Sequence, residues 1–135
     1  MNKTVLYEGW QMGCCGTPFK VGDSVEWTVN DTSDINNDIL QDIDIIDYLE
    51  EHHDEAGSVK AKWVLSGKVE SITLLYNRYK TENNRLIPVE AKLIETNDTE
   101  HRKEEIDEFR FCDFIVKLSD AKTRSVSEQK HEIRS

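Results

Sequence analysis

The chain has 135 residues, with 17 Lys and Arg against 27 Asp and Glu and a net charge of -10 at pH 7. That length supports one domain with one core, able to bury about two thirds of its unfolded surface without a disulfide or metal scaffold. That charge opposes phosphate backbones and anionic lipid surfaces, so nucleic acid and membranes are excluded as expected partners. No stretch approaches the roughly 18 uninterrupted apolar residues of a spanning helix. The start, MNKTVLYEGWQM, lacks the basic-then-apolar layout of a signal peptide, so a cytoplasmic location is expected. In a reducing compartment the 3 cysteines read as free thiols or ligands rather than as staples.

In chain order, Val5 and Tyr7 begin a short alternating run that stops near Gly9, a first strand leading into a glycine-rich bend, GWQMGCCG. Phe19 and Val21 then reach a Gly22-Asp23 turn, after which Val25, Trp27 and Val29 alternate with polar residues as a strand with one buried face. From Asp34 to Glu55 the residues Ile35, Ile39, Ile43, Ile46 and Leu49 recur at helical spacing, which predicts an amphipathic helix inserted over about residues 34–55. A third strand follows at Val59, Ala61, Trp63 and Leu65. In GKVESITLLYNRY the apolar phase slips between Val69 and Ile72, the mark of a β-bulge that bends a strand as barrel closure requires. Pro88 precedes a strand at Val89, Ala91 and Leu93, and FRFCDFIVKL is a further strand. Between them, EHRKEEIDEF reads as a short second helix, and residues 120–135 as a polar, flexible tail to a domain spanning 1–119.

Together these elements predict a mainly β fold: a small SH3-like, partly open β-barrel of five or six strands with one inserted helix. The competing architecture is an α+β antiparallel sheet with the helix on one face. Barrels of this kind host unrelated functions, so fold alone assigns none.

The block Gly9, Trp10, Gln11, Met12, Cys14, Cys15, Gly16, Pro18, Phe19, Val21, Gly22 and Asp23, with Val25 and Trp27, resembles the N-terminal signature of a bacterial domain family of unknown function, GWQM-x-CCG-x-PF-x-VGD. The likeness continues through Glu51, His52 and His53 and a segment at Gly67, Val69 and Ile72, covering the first half to two thirds of the chain. It implies a small bacterial cytoplasmic protein, and a reason to consider Cys14, Cys15, His52 and His53 together.

Thiolates and imidazoles are the ligands zinc prefers, so those four residues would supply a tetrahedral site if the glycines let adjacent cysteines converge. Adjacent side chains diverge in extended chain, which argues against it, and a disulfide between neighbours would be strained. Thiol catalysis would pair Cys14 or Cys15 with His52 or His53, with Asp54 or Gln11 orienting, yet no cysteine-enzyme motif surrounds either thiol. Cys112, within an aromatic strand, reads as core. The acids from Asp23 to Glu55 form a run without Lys or Arg. Asp34, Asn36, Asp38 and Asp42 start like a calcium loop, but Ile39 and Ile45 stand where it needs Gly and Glu. The run reads as a solvated face, with a docking surface for a basic partner as its rival.

Trp27 and Trp63 are expected to fill the core, whereas Trp10 lies off any strand phase, beside the cysteines. The resulting expectation is a non-enzymatic module that binds a protein or small ligand through Trp10, Gln11 and Met12, without a cofactor, as a monomer or homodimer. The alternative is a zinc- or thiol-dependent protein using Cys14, Cys15, His52 and His53.

Overall fold

The computed structural model describes residues 2–9, 12, 16–32, 46–50 and 63–125. The chain is mainly β. Its elements among the described residues are β1 (Lys3–Glu8), β2 (Ser24–Asn30), β3 (Tyr48–Glu50), β4 (Trp63–Glu82), β5 (Arg85–Thr96), β6 (Glu105–Ile106) and β7 (Phe109–Ser125). They form one sheet in the order β5-β4-β2-β3-β1-β7-β6, and an additional pairing of β4 with β7 closes β1, β7, β4, β2 and β3 into a ring. Most of the neighbouring strands are antiparallel, and β3 runs parallel to β1.

Side chains on a strand alternate between its two faces, and the runs VLY, LLY and FIV explain why the middle of this sheet is covered on both. Val5 and Tyr7, Leu74 and Tyr76, and Phe114 and Val116 join one buried cluster with Phe19, Val29, Leu65, Ile72 and Leu118. Leu6, Leu75 and Ile115, the residues between them, join a second cluster with Leu49. In the first cluster the Tyr7 ring stands edge-on to Trp27 at 5.3 Å and to Phe114 at 6.3 Å between centroids. Tilted and edge-on pairs of this kind add to area burial because the ring edge is electropositive and the face electronegative.

The bends in β4 and β7 have identifiable causes. Val69 stands opposite Leu118 and Ser71 opposite Lys117, so Glu70 is an extra residue at the place where the apolar phase slips. A second irregularity lies between Ser66 and Lys68, facing Asp120 at φ 53°. A third leaves Cys112 extra in β7, because Leu75 faces Asp113 while Tyr76 faces Phe111. The turn into β2 carries Gly22 at φ 98°, a conformation side chains resist, and is closed by Asp23 N–H donating to Lys20 O at 3.1 Å.

Several expectations need correction. Residues 46–50, expected within the inserted helix, contain no helix: Tyr48–Glu50 is a strand held on one edge by β1 and on the other by β2. The rest of that segment, 34–45 and 51–55, lies outside the described residues, as do Val59 and Ala61. Of the competing α+β architecture the named elements include no helix, the described residues being helical at Gly9, Met12 and Thr32 alone. EHRKEEIDEF is not helical; Glu105 and Ile106 pair with Arg110 and Phe109 in a hairpin turned at Asp107, φ 53°. Pro88 lies within β5, at an edge of the sheet opposite Tyr79 and beside a bulge, where a missing N–H costs no ladder bond. The polar segment expected as tail from Asp120 continues β7 to Ser125, which pairs with Trp63; residues 126–135 lie outside the described residues. No helix among the described residues is long and apolar enough to cross a membrane.

Candidate functional site

Gly9, the residue that follows β1, meets the bulge of β7. Gly9 N–H donates to Asp113 Oδ1 at 3.2 Å. A Cβ added at Gly9 would overlap the Cys112 carbonyl oxygen and come within 2.8 Å of the Phe111 ring, so only glycine permits this approach. Met12 is buried in the first cluster. Trp10, Gln11, Cys14 and Cys15 lie outside the described residues, and so do His52 and His53. Of the residues picked out from sequence, the structure therefore locates Met12, and it locates the platform against which the bend begins. Trp27 and Trp63 pack against the first cluster as partly buried residues.

That platform carries polar groups absent from the sequence expectations. Asp113 shares a face with Leu75, its partner on β4, and with Glu8, its partner on β1. Removal from water raises the Asp113 pKa to about 6, against the Gly9 hydrogen bond that lowers it and with the Glu8 charge raising it further. Cys112 is half-buried at the bulge rather than in the core, and its Sγ lies 3.0 Å from the Tyr79 hydroxyl. Burial is the largest cause raising both the Tyr79 hydroxyl and the Cys112 thiol above their ordinary values, so both are neutral at pH 7. A neutral thiol is a weak nucleophile, which disfavours covalent chemistry at Cys112. Asn77, 2% exposed, sits against both groups, and its amide favours their deprotonated forms. Its Oδ1 has no hydrogen-bond partner among the described residues.

A second feature is a shallow depression of about 320 Å³ lined by Pro18, Phe19, Lys20, Asp23, Asp98 and His101. Besides Glu100, which also lines it, its acids are Asp23 and Asp98, and both are used by their own loops. Asp98 accepts the backbone N–H of Glu100 at 3.0 Å and of His101 at 2.8 Å, bonds that lower its pKa. Asp23 Oδ2 accepts from Lys20 N–H at 3.0 Å. Buried Thr99 ties this loop to the turn, with Phe19 N–H donating to Thr99 Oγ1 at 3.1 Å. These bonds account for the depression as loop closure. No group of three or more His, Cys, Asp or Glu is arranged to hold a metal among the described residues.

The signal for Asp113 was legible as an acid inside the apolar run FCDFIV; nothing in the sequence singled out Asn77 or Tyr79. Among known families, the one described as a family of unknown function (DUF6578) matches residues 1–120. No curated protein and no solved structure matches the chain.

Proposed function

Taking as premise that the chain belongs to DUF6578, a family of unknown function, across residues 1–120, we propose that it is a small non-enzymatic binding module of the bacterial cytoplasm. Its working surface is the segment from Gly9 to Gly16, whose first residue sits on the β7 bulge, with Trp10 and Gln11 as contact residues and Met12 as anchor. The scaffold is read as an SH3-like, partly open barrel, a reading supported by the closed ring of β1, β7, β4, β2 and β3. The partner is a protein or small ligand rather than nucleic acid or membrane, the module works without a cofactor, and it is a monomer or homodimer.

The observation that carries this reading is the close seating of Gly9 on Cys112 and Asp113. The contact fixes where the chain leaves β1, and preorganised contacts lose less entropy on binding. Bulges recur beside working sites for the same reason, since they re-aim the chain.

The test uses protein purified without a histidine tag. Elemental analysis and thiol titration are expected to give no stoichiometric metal and no unusually reactive thiol. Stoichiometric zinc, lost on Cys14→Ser and on His52→Ala, would overturn the reading in favour of a metal protein.

A further inference from the structure

We propose that the cluster of Asn77, Tyr79 and Asp113 beside the bend receives a primary ammonium group, from a small amine or a lysine side chain. The inference rests on the binding-module reading and names the ligand chemistry of that surface.

The argument is a count of donors and acceptors. The donors at the cluster are already directed: Gly9 N–H to Asp113 Oδ1 and Cys112 S–H to Arg110 O at 3.6 Å, which leaves the Tyr79 O–H to donate to Cys112 Sγ. The Asn77 amide acts on Tyr79 and Cys112 from its donor side. Acceptors remain. Asn77 Oδ1 is buried without a partner among the described residues, and Asp113 brings a carboxylate whose charge acts on Tyr79. A buried acceptor is costly to leave unmet, and the group that complements several acceptors and negative charge together is a donor-rich cation.

An ammonium suits the site better than a metal ion, since no metal-holding group of side chains is present among the described residues. It is compact and carries three donors. Opposite Asp113 stand Glu8 on β1 and Leu75 on β4, and its charge acts on Tyr79 and Cys112; opposite Asn77 stand Arg110 on β7 and Ala91 on β5. Arg110 is not among the groups that act on the Asp113 charge.

The experiment follows the side-chain amide of Asn77 in nitrogen-15 spectra of the full chain, the signal being assigned by its loss in Asn77→Ser. The probes are n-butylammonium and lysine blocked at both its amino and carboxyl groups, with n-butanol and acetate as controls. Saturable shifts with the ammonium probes at pH 7.5, and none with the controls, are expected. Binding by both probes admits a lysine side chain as the source, and binding by n-butylammonium alone restricts the ligand to a free amine. Asp113→Asn, which keeps the shape of the side chain, is expected to weaken binding at least about tenfold while the protein still melts cooperatively, at a temperature no lower than wild type. If that variant does not fold, the pH series decides: an alkylammonium stays charged from pH 5 to 7.5, so affinity must rise with pH as Asp113 ionises. Absence of saturable shifts, equal binding by butanol, or affinity that is flat with pH overturns the ammonium assignment. The binding-module reading falls separately, to stoichiometric zinc.

Discussion

The two faces of the central strands are built differently. One face is apolar from end to end: Val5 and Tyr7, Leu74 and Tyr76, Phe114 and Val116 close on the aromatic rings of Phe19 and Trp27. The other is apolar at Leu6, Leu75 and Ile115, and then, within the same strands, turns to Glu8, Asn77 and Asp113. A half-buried carboxylate and a buried amide oppose folding where a leucine would favour it. A sequence that keeps such groups next to a glycine-locked bend is spending stability on that end of the sheet, and this asymmetry marks the surface proposed as the working one.

The largest effect is expected on the first face. Phe114 is fully buried against Tyr7, Phe19 and Phe111, and Phe114→Ala should cost about 3–5 kcal/mol in denaturant unfolding. A cost below about 1 kcal/mol would mean this face is not the principal core.

Asp113 should behave in the opposite way. Its pKa is raised from 3.8 to about 6, so between those values the folded state binds more protons than the unfolded state. Stability must therefore fall as pH rises from about 4 through about 6, by as much as about 3 kcal/mol, and then level off. Asp113→Asn removes that slope and makes the protein more stable than wild type at pH 8. Thermal melts of both proteins from pH 4 to 8 check the sign, and a variant less stable at pH 8 would mean that the carboxylate holds the fold together.

Gly9→Ala comes next. Its Cβ would meet backbone at Cys112, which cannot swing aside, and forced overpacking costs about 1–3 kcal/mol. The smallest effect belongs to neither face: Arg78 and Glu90 pair at 2.9 Å on the exposed hairpin, and Arg78→Ala should change stability by about 0.2–1 kcal/mol.

What could be read from sequence follows the same division. Alternation in VEWTV disclosed a strand with one buried face, and the slip between Val69 and Ile72 disclosed the bulge at Glu70. Strands covered on both faces were harder to read, because VLY, LLY and FIV break alternation and leave Leu6, Leu75 and Ile115 without an assigned side. Tyr48–Glu50 is too short for a period of two to register, and Ile46 and Leu49 stand three residues apart, as on a helix. Pairing on both edges decided its structure, and pairing is not local. EHRKEEIDEF carries good helix formers, yet the chain turns at Asp107 because Ile106 and Phe109 pack against the first cluster. The consecutive Asn83 and Asn84, at φ 53° and 62°, were a legible signal for the tight β4–β5 hairpin. At the candidate site, the bend was legible from its glycines, but the partners of Gly9 lie 103 and 104 positions away, at Cys112 and Asp113, and only the register of β1 on β7 unites them.

The central claim is that Gly9, seated on the β7 bulge, keeps water from Asp113. Carbon-13 titration of the Asp113 carboxyl in wild type and in Gly9→Ala measures this directly. The account predicts a midpoint of about 6 in wild type that falls in Gly9→Ala, because water readmitted beside the carboxyl outweighs the lost Gly9 hydrogen bond, which alone would raise it. An ordinary midpoint in wild type, or one unmoved by Gly9→Ala in a folded protein, would contradict it.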